Sequence, residues 1–165
     1  MAKESSFDVV STVDMQEVDN AYGQAKRELA QRYDLKDSGA EIALYKSARK
    51  ITVSAPAEFV ARQVIDVIGS KLIKRGIDLA AVKWGDPIPA TGQSVRQIAE
   101  IVEGIDKETA SKISKDIRGT KLKCKVSIEG DKLRVSSASR DTLQEVISFL
   151  KGQDYGQPLQ YVNYR

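Results

Sequence analysis

Histidine is absent from the 165 residues, which removes the commonest general base and the commonest metal ligand. Cysteine occurs once, as Cys124, so no disulfide can close within the chain, and a reducing cytosol is the expected setting. No apolar run approaches the ~20 residues needed to cross a bilayer. The opening Met-Ala-Lys-Glu-Ser-Ser-Phe lacks the basic-then-apolar layout of a secretory leader. Neither a G-x-x-x-x-G-K-[ST] loop nor a G-x-G-x-x-G loop is present, and no ligand cluster is spaced for zinc. Cys124 falls at an inward position of an expected strand, where it reads as core packing rather than as a nucleophile. These absences leave catalysis without a candidate residue and call for no metal or cofactor.

What is present is ordinary for a soluble globular chain: 41% hydrophobic and 30% charged residues. The length suits one medium domain or two small ones. Net charge is +3, and its distribution carries more information than its size. Residues 1–91 hold 13 Lys/Arg and 13 Asp/Glu, whereas residues 92–165 hold 13 and 10. Between Lys112 and Arg134, eight cations face only Asp116, Glu129 and Asp131. Such a stretch attracts anions.

The periodicity reads strand, helix, strand, strand, helix, strand, and then repeats that order. Phe7–Val13 is rich in β-branched residues and predicts a strand. Val18, Tyr22, Ala25 and Leu29 form the apolar stripe of a helix, with Asp14 as its cap and Glu17 completing a capping-box pattern. Ile42–Tyr45 and Ile51–Val53 alternate as short strands. Pro56 stands at the first turn of a second helix carrying Val60, Val64, Val67, Ile68 and Leu72. A strand near Leu79–Trp84 closes this half, and Gly85–Gly92, with Pro87 and Pro89, reads as a linker. The second half runs through a strand at Val95–Val102 and a helix at Lys107–Ile117. A hairpin of Lys121–Ile128 with Lys132–Ser136 turns at Gly130-Asp131. The last helix is built on Leu143, Val146, Ile147 and Leu150, and Leu159–Tyr164 ends the chain as a strand.

The halves align residue by residue. Ala25 and Leu29 match Ile113 and Ile117 at an offset of 88, while Lys50–Ser54 matches Lys132–Ser136 at an offset of 82. Val64-Ile65 matches Val146-Ile147 at that second offset. A duplication follows. Each copy has the β-α-β-β-α-β order of a ferredoxin-like module. The expected class is therefore α+β, with two helices on one face of each four-stranded antiparallel sheet and the other face open.

Alternation along Lys121–Ile128 points Leu122, Cys124, Val126 and Ile128 inward and Lys121, Lys123 and Lys125 outward. On the paired strand Arg134 points the same way. Like charges this close repel unless an anion bridges them. Phosphate suits the group, with Arg134 able to grip it through two parallel hydrogen bonds. A solvated edge protected by lysines is the plainer alternative. Modules of this topology that bind RNA usually stack bases on aromatics of the central strands, and here those positions are Lys and Ser. Tyr161 and Tyr164 on the last strand are the candidates for stacking a base; packing at the end of the chain is the other reading.

Specific strings resemble the YajQ family of bacterial cytoplasmic proteins. They are Ser6-Phe7-Asp8-Val9-Val10-Ser11, Arg32-Tyr33-Asp34-Leu35-Lys36, Val95-Arg96-Gln97, Gly104–Glu108, Gly130–Val135, Arg140–Gln144 and Pro158–Arg165. The resemblance implies two ferredoxin-like domains with their opening strands exchanged: residues 14–102 in one, and residues 1–13 with 103–165 in the other. It also implies nucleotide binding, with cyclic di-GMP bound by some members and RNA by others, and it brings no catalytic residues. Arg32, Lys36, Arg96 and Arg140 match motif positions and join the phosphate candidates, although surface ion pairs are equally open to them. The expectation is a non-catalytic nucleotide-binding protein that takes cyclic di-GMP, GTP or ATP, with a protein partner in regulation. An RNA-binding accessory module and a nucleotide-processing enzyme are the alternatives.

Overall fold

In a strand, successive side chains point to opposite faces, and Ser5–Val10 (β1) obeys this by burying Phe7 and Val9 among apolar neighbours. The computed structural model describes residues 4–165, so the earliest part of the opening segment lies outside the described residues. Met15–Gln31 (α1) buries Val18, Ala21, Ala25 and Leu29 along one stripe. Asp14 caps it by accepting from the backbone N–H groups of Gln16 and Glu17. The reciprocal half of the capping box is not made. Glu17 instead accepts from Asn20 at 2.9 Å and faces Arg75 at 3.6 Å.

Glu41–Tyr45 (β2) and Lys50–Ala55 (β3) form a hairpin, followed by Glu58–Lys74 (α2). Ala57 is the cap of α2, so Pro56 stands before the cap rather than inside the first turn. Leu79–Ala81 is a 3₁₀ turn, and Val82–Trp84 (β4) is all that extends of the strand expected from Leu79. The expected linker is partly sheet: Ile88–Pro89 (β5) pairs with Val95–Ile101 (β6).

Lys107–Gly119 (α3), Lys125–Glu129 (β7), Lys132–Ser137 (β8), Arg140–Lys151 (α4) and Gln160–Val162 (β9) complete the order. Other expected strands change their bounds as well. β1 starts at Ser5 and stops at Val10, β9 is only three residues long, and β7 begins at Lys125 instead of Lys121. The last change has a local cause. Lys121 takes the left-handed conformation at φ 63° just past the end of α3, the position where helices commonly turn off. The Thr120 hydroxyl and a Leu122–Cys124 turn then hold the connection out of extended geometry.

The chain divides into two compact units. Val13–Val102 forms one, and the segment through Thr12 joins Glu103–Arg165 in the other. The first holds α1, α2 and a sheet of order β2-β3-β6-β4, with β5 attached to β6. The second holds α3, α4 and the order β7-β8-β1-β9. All pairings are antiparallel. β1 thus lies in the sheet of the later helices, and β6 in the sheet of the earlier ones. Four helices and two antiparallel sheets form an α+β architecture compatible with a duplicated ferredoxin-like plan. Each unit has its own core: Val64, Ile68, Leu72, Ile51 and Val53 centre the first, and Phe7, Ile113, Ile117, Leu133 and Val135 the second. Among the described residues no helix is long and apolar enough to cross a membrane.

Candidate functional site

On the helix-free face of the second unit, register places Ser127, Arg134, Asp8 and Val162 in one row across β7, β8, β1 and β9. Asp8 is only 1% exposed. Its carboxylate accepts from Arg134 Nε at 3.0 Å, Lys132 Nζ at 3.3 Å and Asn163 Nδ2 at 2.8 Å. Burial alone would raise this carboxyl, but the three donors outweigh it and bring the pKa to about 2. Glu129 approaches Arg134 at 3.6 Å, and Glu4 approaches Lys125 at 3.5 Å. The face expected to be a cationic cradle is largely neutralised by its own carboxylates. Only Lys125 and Arg134 of the four expected residues stand on it, because Lys121 and Lys123 fall in the irregular connection before β7.

The tyrosines follow from one backbone feature. Asp8 pairs with Val162, yet Ser6 exchanges both backbone hydrogen bonds with Arg165. One extra residue is therefore accommodated at Asn163, which sits at φ 57°, a conformation Asn tolerates better than most side chains. In an unbroken strand Tyr161 and Tyr164 would point to opposite faces. With the bulge both meet Phe7, at ring-centroid distances of 6.0 Å and 6.2 Å. Neither stands on the open face. Tyr161 packs against the core, and burial raises its phenol, whereas Tyr164 is 60% exposed.

Tyr164 instead borders a cleft of about 270 Å³ beside the first turn of α4. Arg140, Gln144 and Arg165 line the cleft with Ser5 and Ser6 of β1, over Leu143. Ser139 caps the helix by accepting from the Thr142 N–H, and Arg140 Nε donates to Ser5 Oγ at 3.4 Å. A helix start supplies a partial positive charge and free N–H groups, and Arg140 and Arg165 add full charges. The cleft therefore joins one expected phosphate ligand, Arg140, to one expected stacking residue, Tyr164. Arg165, Gln144 and the two serines were not expected there. Gln144 lies one turn along α4 from Arg140, and the pairing of Ser6 with Arg165 brings the strand residues there.

The other candidates belong to the first unit. Arg96 is exposed on its helix-free sheet face, opposite Ser54 and Ile88. Arg32 ends α1 and pairs with Asp34 at 2.8 Å and Glu28 at 3.7 Å. Lys36 lies 6.0 Å from the ring of Tyr33, which is 91% exposed.

Residues 5–165 match the family described as nucleotide-binding protein YajQ-like. The chain belongs to this family. It is 51% identical over 163 residues to a nucleotide-binding protein of Streptomyces coelicolor, covering 98% of this chain and 99% of that one. It is 47% identical over 165 residues to one of Chloroherpeton thalassium, covering the whole of both chains. A third, from Desulforamulus reducens, is 46% identical over 165 residues, with 100% and 99% covered. All three YajQ-like relatives carry the names of binding proteins rather than of enzymes.

Proposed function

We propose that this chain is a non-catalytic, cytoplasmic nucleotide-binding protein whose ligand occupies the α4 cleft. The meeting of Arg140, Arg165 and the exposed Tyr164 ring around one cavity carries this reading. Arginines grip phosphate through paired N–H donors, and an exposed ring gives a base a stacking surface worth about 1–3 kcal/mol. At about 270 Å³ the cleft is below the usual span of small-molecule pockets, roughly 300–1,000 Å³. It suits one phosphate-ribose-base half of a ligand such as cyclic di-GMP, or a mononucleotide such as GTP or ATP with part of it in solvent. Membership of the YajQ-like family and the names of the relatives support the ligand class. A regulatory role, in which occupancy changes what a protein partner meets, rests on this same site.

Calorimetric titration of cyclic di-GMP, GTP and ATP tests the reading. Arg140→Gln and Tyr164→Ala are each expected to weaken the tightest of these ligands at least tenfold, about 1.4 kcal/mol. Unchanged affinity in a folded double variant would exclude the cleft.

A second reading, association with RNA, draws on Tyr33. An exposed tyrosine with Lys36 beside its ring has the form of a base-stacking platform. If RNA is the ligand, Tyr33→Ala lowers affinity for a short single strand, and affinity falls steeply with added salt. A Tyr33→Ala variant that binds the strand as wild type does removes this reading.

A further inference from the structure

Three cations of the basic stretch, Lys112, Lys115 and Arg118, stand on α3, apart from the sheet face that carries Lys125, Lys132 and Arg134. Between α3 and the edge strand β7, a crevice of about 470 Å³ is lined by Ser111, Lys112, Ser114, Lys115, Arg118 and Ile128. Its cations recur every third residue, so Lys112 and Arg118 lie about 9 Å apart along the helix axis at roughly 1.5 Å per residue. Among the described residues Lys115 and Arg118 form no ion pair. Lys112 stands over the Tyr155 ring, at 5.7 Å. The nearby carboxylate of Asp116 is already engaged by the Tyr155 hydroxyl at 2.8 Å.

The duplication supplies an internal control. The matching crevice in the other unit, between α1 and β2, holds Leu29, Ala30, Leu35, Ala40 and Ile42, with Lys26, Lys36 and Glu41. At the offset of 88, Gln24 stands where Lys112 does, Arg27 where Lys115 does and Ala30 where Arg118 does, so the other copy keeps one of the three cations. The fold itself therefore does not require three unneutralised cations in this place.

We infer that the α3–β7 crevice binds a chain of two or three phosphoryl groups, held by Lys112, Lys115 and Arg118. Arg118 offers a planar fork for one phosphoryl group and the lysines offer point charges for its neighbours. Ser111 and Ser114 add hydroxyl donors. The lining has no aromatic ring, so recognition falls on phosphate rather than on a base. A free inorganic chain and the phosphates of a nucleoside triphosphate share this chemistry. The site has no residue in common with the α4 cleft, and neither assignment depends on the other.

The test is a titration of the full chain with inorganic tripolyphosphate, followed by amide chemical shifts. Shifts are expected at residues 111–118 and 125–128, and Lys115→Gln with Arg118→Gln should weaken binding at least tenfold. Arg62→Gln, which removes an exposed cation of the other unit, should leave it unchanged. Both substituted side chains are exposed, so the remaining spectrum verifies folding, and Lys115→Gln alone provides a milder variant. ATP added to the Arg140→Gln protein distinguishes the sources. Equal affinity assigns the site to nucleotide phosphates, and weaker affinity assigns it to the inorganic chain. The inference is overturned by tripolyphosphate that leaves α3 unshifted, by a folded double variant with wild-type affinity, or by orthophosphate binding as tightly as the chain.

Discussion

Phe7→Ala is expected to destabilise the unit containing β1 by about 3–5 kcal/mol, the usual range for emptying a buried phenylalanine site. Phe7 has no exposed surface and lies in the second core with Leu133, Val135 and Val146. Both terminal tyrosines rest on its ring, Tyr161 nearly edge-on at 73° and Tyr164 tilted at 32°. β1 is hydrogen-bonded on both sides, to β8 and to β9, so the backbone cannot close the cavity by sliding inward. Domains are stable by only about 5–15 kcal/mol, and the change removes a large share of that. Urea unfolding followed by circular dichroism measures the loss. Fluorescence of the single Trp84, which belongs to the other unit, follows that unit separately. An unfolding free energy within about 0.5 kcal/mol of wild type, the bound for harmless surface changes, would contradict the anchoring role of Phe7.

Asp8→Asn is expected to lower stability at neutral pH by about 2–4 kcal/mol, because Arg134 and Lys132 lose their shared buried carboxylate. The pH dependence gives an independent measure. The native carboxyl is lowered from 3.8 to about 2, worth about 2 kcal/mol at 1.36 kcal/mol per unit. A depressed carboxylate contributes fully above its unfolded pKa and loses that contribution as pH falls through the native one. Wild-type stability should therefore decline between about pH 4 and pH 2 through this group, and the Asn variant should lack that part of the slope. Urea midpoints at pH 2, 3, 4 and 7 for both proteins decide it. Parallel curves would mean that the Asp8 network contributes nothing.

The helices were legible because their stripes are local: Val18, Ala25 and Leu29 in α1, Ile113 and Ile117 in α3, and their counterparts all face apolar cores. The repeated Lys-Ile-Thr-Val-Ser and Lys-Leu-Arg-Val-Ser strings similarly became β3 and β8, each an internal strand of its sheet. Pairing partners were not local information. Alternation put Arg134 outward, but only the β1–β8 register sets it opposite Asp8 and turns a presumed phosphate grip into an internal ion pair. Lys121 was placed on a strand because its neighbours alternate, and no feature of a lysine announces a left-handed turn. Asn163 did offer a hint, since Asn enters that region more readily than most residues. Its effect on Tyr161 and Tyr164 depends on β9 pairing with β1. Arg140 and Tyr164 come together in the cleft for the same non-local reason.

The placement of β1 in the later sheet and β6 in the earlier one also bears on the order in which a ribosome-bound chain can organise itself. Everything from Val13 to Val102 is one continuous piece, so its sheet can close once β6 has emerged. β1 is made first but must wait for β8 and β9, whose partners lie as far apart as Ser5 and Ser137 or Asp8 and Val162. During that interval Phe7 and Val9 have no core to enter. The other unit is expected to fold inside this long loop and so shorten the distance its ends must search. Pulse proteolysis of nascent chains released at increasing lengths would reveal it as protection of the segment after Thr12 well before protection of β1.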